Sequence, residues 1–241
     1  MSRYNGRRVF VNTNVDEIFQ SVVEWEKTYN KVPDQQDPVY TMVDIACNTD
    51  LVLMQKHVKK TGFSLHDYLL MYDKHENLNT TMATKYPGLL TLDVRHFNKP
   101  PRVRVSLMPQ AYSDVLEPKM QKIESRIQDI NRLKDLGWEV HINYSPVVFN
   151  RRWIQHYDEM FAQVVKYAGR DNKCEVIVLT NHRNQMAKAS PEAQDMMKHS
   201  CEIKNNSGVM RYPIRDKTKL LSRWKQLYNK YFELNTIRYI F

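Results

Sequence analysis

From Tyr40 to Thr180 the chain alternates short β-branched runs with amphipathic stretches at helical spacing, and this rhythm restricts the fold more than any other feature. The strand-like runs are Tyr40 onward, Leu78–Tyr86, Arg102–Met108, Glu139–Tyr144 and Cys174–Thr180, with a further one at Arg7–Asn12. Helical spacing marks Val15–Tyr29, Leu51–Val58, Leu65–Tyr72, Glu117–Leu136 and Asn150–Tyr167 between them. Repeated βα units predict an α/β fold, a parallel sheet or partial barrel with right-handed crossovers. The run CEVIVLT is apolar almost throughout, which suits a parallel strand covered on both faces.

Polar residues recur where strands give way to loops. In Tyr40–Asp50, YTMVDIACNTD, an apolar run places Cys47 at its end, and Asn48, Thr49 and Asp50 can cap the helix from Leu51. Lys85, Ser106 and Ser145 occupy the corresponding positions of later runs. In a βα barrel such ends converge on one face, so these residues would face one pocket. Two simpler readings stand beside this one. Strand ends are polar because they reach solvent, and a lone cysteine on an apolar strand is commonly a small buried hydrophobe.

The 241 residues suffice for one sizeable core or two small ones. No run approaches the ~20 apolar residues of a membrane span. The start, MSRYNGRRVF, lacks the apolar centre of a signal peptide, so a cytoplasmic protein is expected. A net charge of +9 favours an anionic partner, with nucleic acid the commonest, although a soluble protein can simply be basic. Cys47, Cys174 and Cys201 form no CxxC or CxxxCxxC, so neither a disulfide framework, a zinc ribbon nor a local iron–sulfur motif is indicated. No GxGxxG, Walker loop, HExxH or GxSxG occurs, and His57, His66, His75 and His141 have no metal-ligand spacing.

After Thr180 the pattern changes, which suggests a barrel part over residues 1–180 and a small basic α+β extension over 181–241. A helix is expected at Pro191–Lys198, a turn at Asn205–Gly208, a short strand at Val209–Ile214, a basic amphipathic helix at Lys217–Phe232 and a last strand in IRYIF. Arg211, Tyr212, Arg215, Arg223 and Trp224 interleave cations with aromatics, as where a protein grips a nucleic-acid backbone and stacks on bases. The alternative is a helix docked by its apolar face with its cations solvated.

Several segments together resemble the spore photoproduct lyase family of radical S-adenosylmethionine (SAM) enzymes. They are DIACNTD, the strand ending ATKY, RVSLM, EPKMQKIESRIQDINRLKDLGWEVHINYSPVV, RRWIQHYDEMF and the terminal IRYIF. The resemblance implies a radical SAM (β/α) barrel lacking its first strand. It also implies repair of a thymine dimer in spore DNA, in which a reduced [4Fe–4S] cluster cleaves SAM, the resulting radical takes a hydrogen from the lesion, and a cysteine returns one. Cys47 falls on the donor position. Thr49 and Asp50 match positions near SAM, Thr49 standing where a Ser is usual. Lys85 and Ser106 match positions holding SAM's carboxylate and polar groups. Ser145 lies where strand backbone meets the nucleoside and an Ala is common. Arg211 and Tyr212 lie in the region of the lesion-wedging hairpin, a sensible pairing for a base that must leave the stack.

The family's CxxxCxxC is absent from this sequence, and three thiolates are needed to hold three irons. The expectation is therefore a SAM-dependent enzyme whose cluster comes from a separate cluster-bearing polypeptide. A truncated gene and a non-catalytic nucleic-acid-binding or scaffold relative are the alternatives.

Overall fold

A computed structural model describes residues 14–29, 37–46, 49–59, 62, 64–182, 184, 187–198, 203–204 and 209–241. The strand expected at Arg7–Asn12, the turn at Asn205–Gly208 and Cys47 lie outside the described residues. Eight helices and nine strands are described: α1 (Val15–Thr28), β1 (Thr41–Asp44), α2 (Leu51–Lys59), α3 (Leu65–Asp73), β2 (Leu78–Thr84), β3 (Arg102–Leu107), α4 (Gln110–Leu116), α5 (Ile123–Asp135), β4 (Glu139–Val147), α6 (Trp153–Ala168), β5 (Cys174–Val178), β6 (Thr180–His182), α7 (Pro191–Lys198), β7 (Ile203–Lys204), β8 (Val209–Arg211), α8 (Ile214–Tyr228) and β9 (Ile237–Ile240). One sheet has the strand order β1-β2-β3-β4-β5-β9, and a smaller one the order β6-β8-β7. The chain divides into two compact units, Met1–Val105 with Arg132–Val140, and Ser106–Asn131 with His141–Phe241.

In the first unit β1, β2 and β3 pair in parallel, with Asp44 opposite Thr81 and Thr81 opposite Arg102. Val52, Leu65, Leu69, Tyr72, Leu78, Met82, Val103 and Val105 form its core. Ser64 opens α3 with a capping box: its hydroxyl accepts the Asp67 N–H while the Asp67 carboxylate accepts the Ser64 N–H. Three cations, Lys99 and Arg102 buried and Arg132 half-buried, tie down carbonyls and carboxylates of this unit. The Lys99 ammonium donates to the carbonyls of Tyr72 and Leu78, each at 2.7 Å, and to that of His75. Arg102, 2% exposed, joins Asp37 at 2.7 Å and Glu139 at 2.9 Å. Arg132 donates to the carbonyls of Leu90 and Pro87. Gly137, at φ +91°, lets the turn after α5 close on Arg95; a Cβ there would stand 2.8 Å from the Arg95 nitrogen.

In the second unit β4, β5 and β9 are parallel. Tyr144 of β4 faces Phe161 of α6 and Trp224 and Tyr228 of α8 at ring distances of 5.5, 5.7 and 6.1 Å. Tyr157, Phe161, Trp224 and Tyr228 are buried to within 1% in this aromatic layer. The smaller sheet is antiparallel, with Thr180 and Ile203 each opposite Arg211.

Several expected elements are displaced. The helix expected at Glu117–Leu136 starts only at Ile123, and α4 precedes it. Pro118 disfavours helical backbone at Glu117, which sits at φ −130° and ψ 51°, and Lys119 has φ +75°. The strand expected to end at Tyr144 continues to Val147 across a register shift, so Ser145 lies inside β4, before a cis bond to Pro146. The strand expected to reach Tyr86 ends at Thr84. That at Cys174–Thr180 ends at Val178, and Thr180 opens a strand of the other sheet. The strand at Val209–Ile214 stops at Arg211, because Pro213 supplies the N-cap of α8, which runs Ile214–Tyr228 rather than Lys217–Phe232.

Candidate active site

In the first unit the strand-end residues are organised by Asp50. It lies just before α2, and its Oδ1 accepts the Leu53 N–H at 3.3 Å, in the manner of an N-cap. Both carboxylate oxygens also accept from the Thr84 hydroxyl, at 3.0 and 3.1 Å, and Oδ2 accepts the Lys85 N–H at 2.8 Å. Thr84 Oγ1 in turn accepts the Tyr86 N–H at 3.0 Å. The carboxylate thus ties the start of α2 to the end of β2 and fixes the point where Lys85 leaves the strand. Lys85 is half-buried and Thr49 is exposed.

The first unit also brings together residues that the strand-end argument missed. Arg104 of β3 forms an ion pair with Asp44 of β1, reaching across β2. Asp44, Thr81, Arg102 and Arg104 share one face by register. The alternation in RVRVSL carried this signal, since its cations occupy every second position.

In the second unit Ser106 is buried, and its carbonyl accepts from Arg126 Nη1 at 3.0 Å. Arg126 is wholly buried. Both its Nη atoms meet Glu117 Oε2 at 3.1 Å, and Nε donates to the Gln121 carbonyl at 2.8 Å. Ser145 is half-buried. Cys174 faces the aromatic layer, 3.3 Å from the Tyr228 hydroxyl, and burial pushes its thiol up to about 12, so it stays protonated at neutral pH. Arg211 is exposed, whereas Tyr212 is buried with its hydroxyl accepting the Phe149 N–H at 2.8 Å. Trp224 is buried in the aromatic layer, while Arg215 and Arg223 are exposed, as the docked-helix reading of α8 requires. Among the described residues no three His, Cys, Asp or Glu side chains are grouped to hold a metal ion, and no helix is long and apolar enough to cross a membrane.

A six-stranded sheet built from βα units, with polar residues tied down at its strand ends, is consistent with a partial βα barrel. The comparisons narrow this to a partial radical SAM barrel. A family model described as spore photoproduct lyase matches residues 4–240, and the chain belongs to that family. Similar solved structures include a cysteine-to-serine mutant of spore photoproduct lyase, at 16% identity and TM-score 0.75, covering 97% of this chain and 68% of that one. Spore photoproduct lyase complexed with dinucleoside spore photoproduct matches at 17% identity and TM-score 0.74, with the same coverage of 97% and 68%. A double mutant with bound AdoMet and dinucleoside spore photoproduct matches at 15% identity and TM-score 0.72, covering 97% and 67%. At these identities the structures establish the shared fold. A comparison with curated proteins found no match.

Proposed function

We propose that this chain carries the SAM- and lesion-binding part of a radical SAM lyase that reverses a thymine photoproduct in DNA. The family match over residues 4–240 carries the reading. In it, Thr49, Asp50, Lys85, Ser106 and Ser145 have SAM-binding roles, and Arg211 and Tyr212 belong to the DNA-contacting segment. Bound SAM supplies the hydrogen-abstracting group. Lys85 offers an ammonium to its carboxylate, from a backbone position held by Asp50. Tyr212 serves as the buried anchor of its segment and Arg211 as the exposed cation beside it. Cys47 returns a hydrogen atom to the lesion-derived thymine radical: its S–H bond breaks, a C–H bond forms at the radical carbon, the unpaired electron passes to sulfur as a thiyl radical, and the bond made is the stronger.

The chain's own residues do not fit the [4Fe–4S] cluster. Three thiolates are required, and Cys174 is a protonated, buried thiol on Tyr228, which leaves two cysteines. The cluster therefore has to be held by residues outside these 241, and the reading proposed here gives it to a separate cluster-bearing polypeptide. The same misfit is shared by the rival reading, a non-catalytic nucleic-acid-binding or scaffold protein, and the partner separates the two.

Anaerobic co-purification with a CxxxCxxC-bearing partner should yield about four irons per complex and none in this chain alone. A complex without iron, or no complex, would favour the DNA-binding reading. In an iron-loaded complex, Cys47→Ala should leave SAM cleavage intact while clean thymine gives way to side products. Unchanged repair by that variant would remove Cys47 from the mechanism.

A further inference from the structure

Charge is unevenly distributed over the helices. Along α8, Arg215, Lys217, Lys219, Arg223 and Lys225 stand against one acid, Asp216, whereas α1 carries Asp16, Glu17, Glu24 and Glu26 against Lys27 alone. The charge of α8 is also sorted by face. Trp224, Leu227 and Tyr228 are buried, with the Trp224 ring 5.4 Å from that of Phe161 on α6. Arg215, Lys219 and Arg223 recur at four-residue spacing on the opposite, exposed side, with exposed Ser222 and Gln226 alongside. Arg211 of β8, also exposed, precedes Arg215 by four residues. None of Arg215, Lys219 and Arg223 joins an ion pair among the described residues.

We infer that this outer face of α8 holds the phosphate backbone of duplex DNA, irrespective of sequence and of damage. Solvated cations without a protein partner give up only water and counterions when they meet phosphates, and the release of counterions drives such binding. Arg215 and Arg223 are about 12 Å apart along the helix axis, so the three cations reach successive phosphates of one strand. The Ser222 hydroxyl and the Gln226 carboxamide add uncharged donors for phosphate oxygens. Contacts of this kind position a protein on a duplex and carry no sequence information. A basic helix on an anionic membrane would instead insert its apolar face, and in α8 that face is already packed against α6. The inference rests on the function proposed above and divides its DNA contact: α8 supplies a general hold on the duplex, and Arg211 and Tyr212 the contact at the lesion.

The test measures binding of the full chain to a short fluorescent duplex, undamaged or carrying one spore photoproduct, over a range of salt concentrations. Lys219→Gln/Arg223→Gln should lower the slope of log affinity against log salt by about 2 and weaken binding roughly 10–100-fold near physiological salt. The loss should be equal for the two duplexes, so that any preference for the lesion survives. Thermal melts should be unchanged, since both side chains are exposed. Lys27→Gln/Lys74→Gln removes the same charge from exposed positions of the first unit and should keep the wild-type slope. A wild-type slope in the α8 variant, an equal loss in the Lys27/Lys74 variant, or tighter binding of wild type to anionic phospholipid vesicles than to duplex overturns the inference; a lesion preference in wild type then still supports the proposed function. A lowered slope with no lesion preference in any protein upholds the role of α8 and removes the lesion-binding role proposed above. No binding of wild type to either duplex overturns both.

Discussion

Arg126→Met is expected to destabilise the second unit by about 3–5 kcal/mol, the cost of breaking a buried ion pair from one side. At this chain length the loss corresponds to a fall in melting temperature on the order of 10 °C. The guanidinium has no exposed surface, and Glu117, its partner at 3.1 Å, is 4% exposed at the side chain. Methionine preserves most of the packing volume, so the effect isolates the charge. Glu117 loses the cation it faces, and the carbonyls of Ser106 and Gln121 lose their donor. The double variant Arg126→Met/Glu117→Met should recover much of the loss, because the expensive state is the half-broken pair rather than its absence. A thermal melt of the three proteins decides the matter. A drop of only a degree or two for the single variant would mean that water reaches the pair. The Ser106 carbonyl lies at the end of β3, so the same substitution should also weaken SAM binding if Ser106 contributes to that site.

In the first unit the equivalent burden falls on Lys99, and Lys99→Met should cost about 3–5 kcal/mol as well. Three carbonyls accept from one ammonium that is 7% exposed as a residue. Two of them, from Tyr72 and His75, lie at the end of α3, where unpaired carbonyls and the helix dipole both favour a cation; the third, from Leu78, opens β2. Arginine would not substitute, because a planar fork cannot direct its donors at three converging carbonyls as an ammonium does. Beyond the melt, hydrogen exchange should show lost protection concentrated in residues 72–80. Protection lost evenly over the unit would show that Lys99 acts through general packing instead.

Both cations illustrate what sequence reading reaches and what it does not. The amphipathic helices α1, α2, α3 and α7 lie within a residue or two of their expected bounds, because an apolar stripe is a local signal. The parallel βα architecture and the placement of IRYIF as a strand follow from rhythm, and the structure bears them out. The helix expected from Glu117 failed because its apolar spacing was read through Pro118. What was not legible is long-range ionic and hydrogen-bonded structure. Lys99, Arg102, Arg104 and Arg126 read as ordinary surface charge until register brings carbonyls and carboxylates to them. Asp50 was singled out for its place at a strand end, yet its bonds to Thr84 and Lys85 cross 34 and 35 positions, which no local pattern carries. Tyr212 was singled out as an aromatic beside Arg211, and only the fold reveals that its hydroxyl is spent on the Phe149 amide. The family resemblance was legible in the segments themselves, and the family model matches residues 4–240.

The pairing of β5 with β9 has a consequence for how the second unit comes into being. Cys174 lies opposite Ile237, the Phe241 N–H donates to the Val176 carbonyl, and the Phe241 carbonyl accepts the Val178 N–H. Between these partners the chain leaves the sheet to build β6, α7, β7, β8 and α8. A parallel contact closed over such a distance must offset its loop entropy before it yields any bonds, so it forms late and slows the folding of the unit. Until then the apolar run of β5 presents an open edge, the kind of surface on which nascent chains associate. The four residues of β9 therefore act as a self-supplied guard against aggregation, and yield of intact protein should depend on them more than their small area suggests.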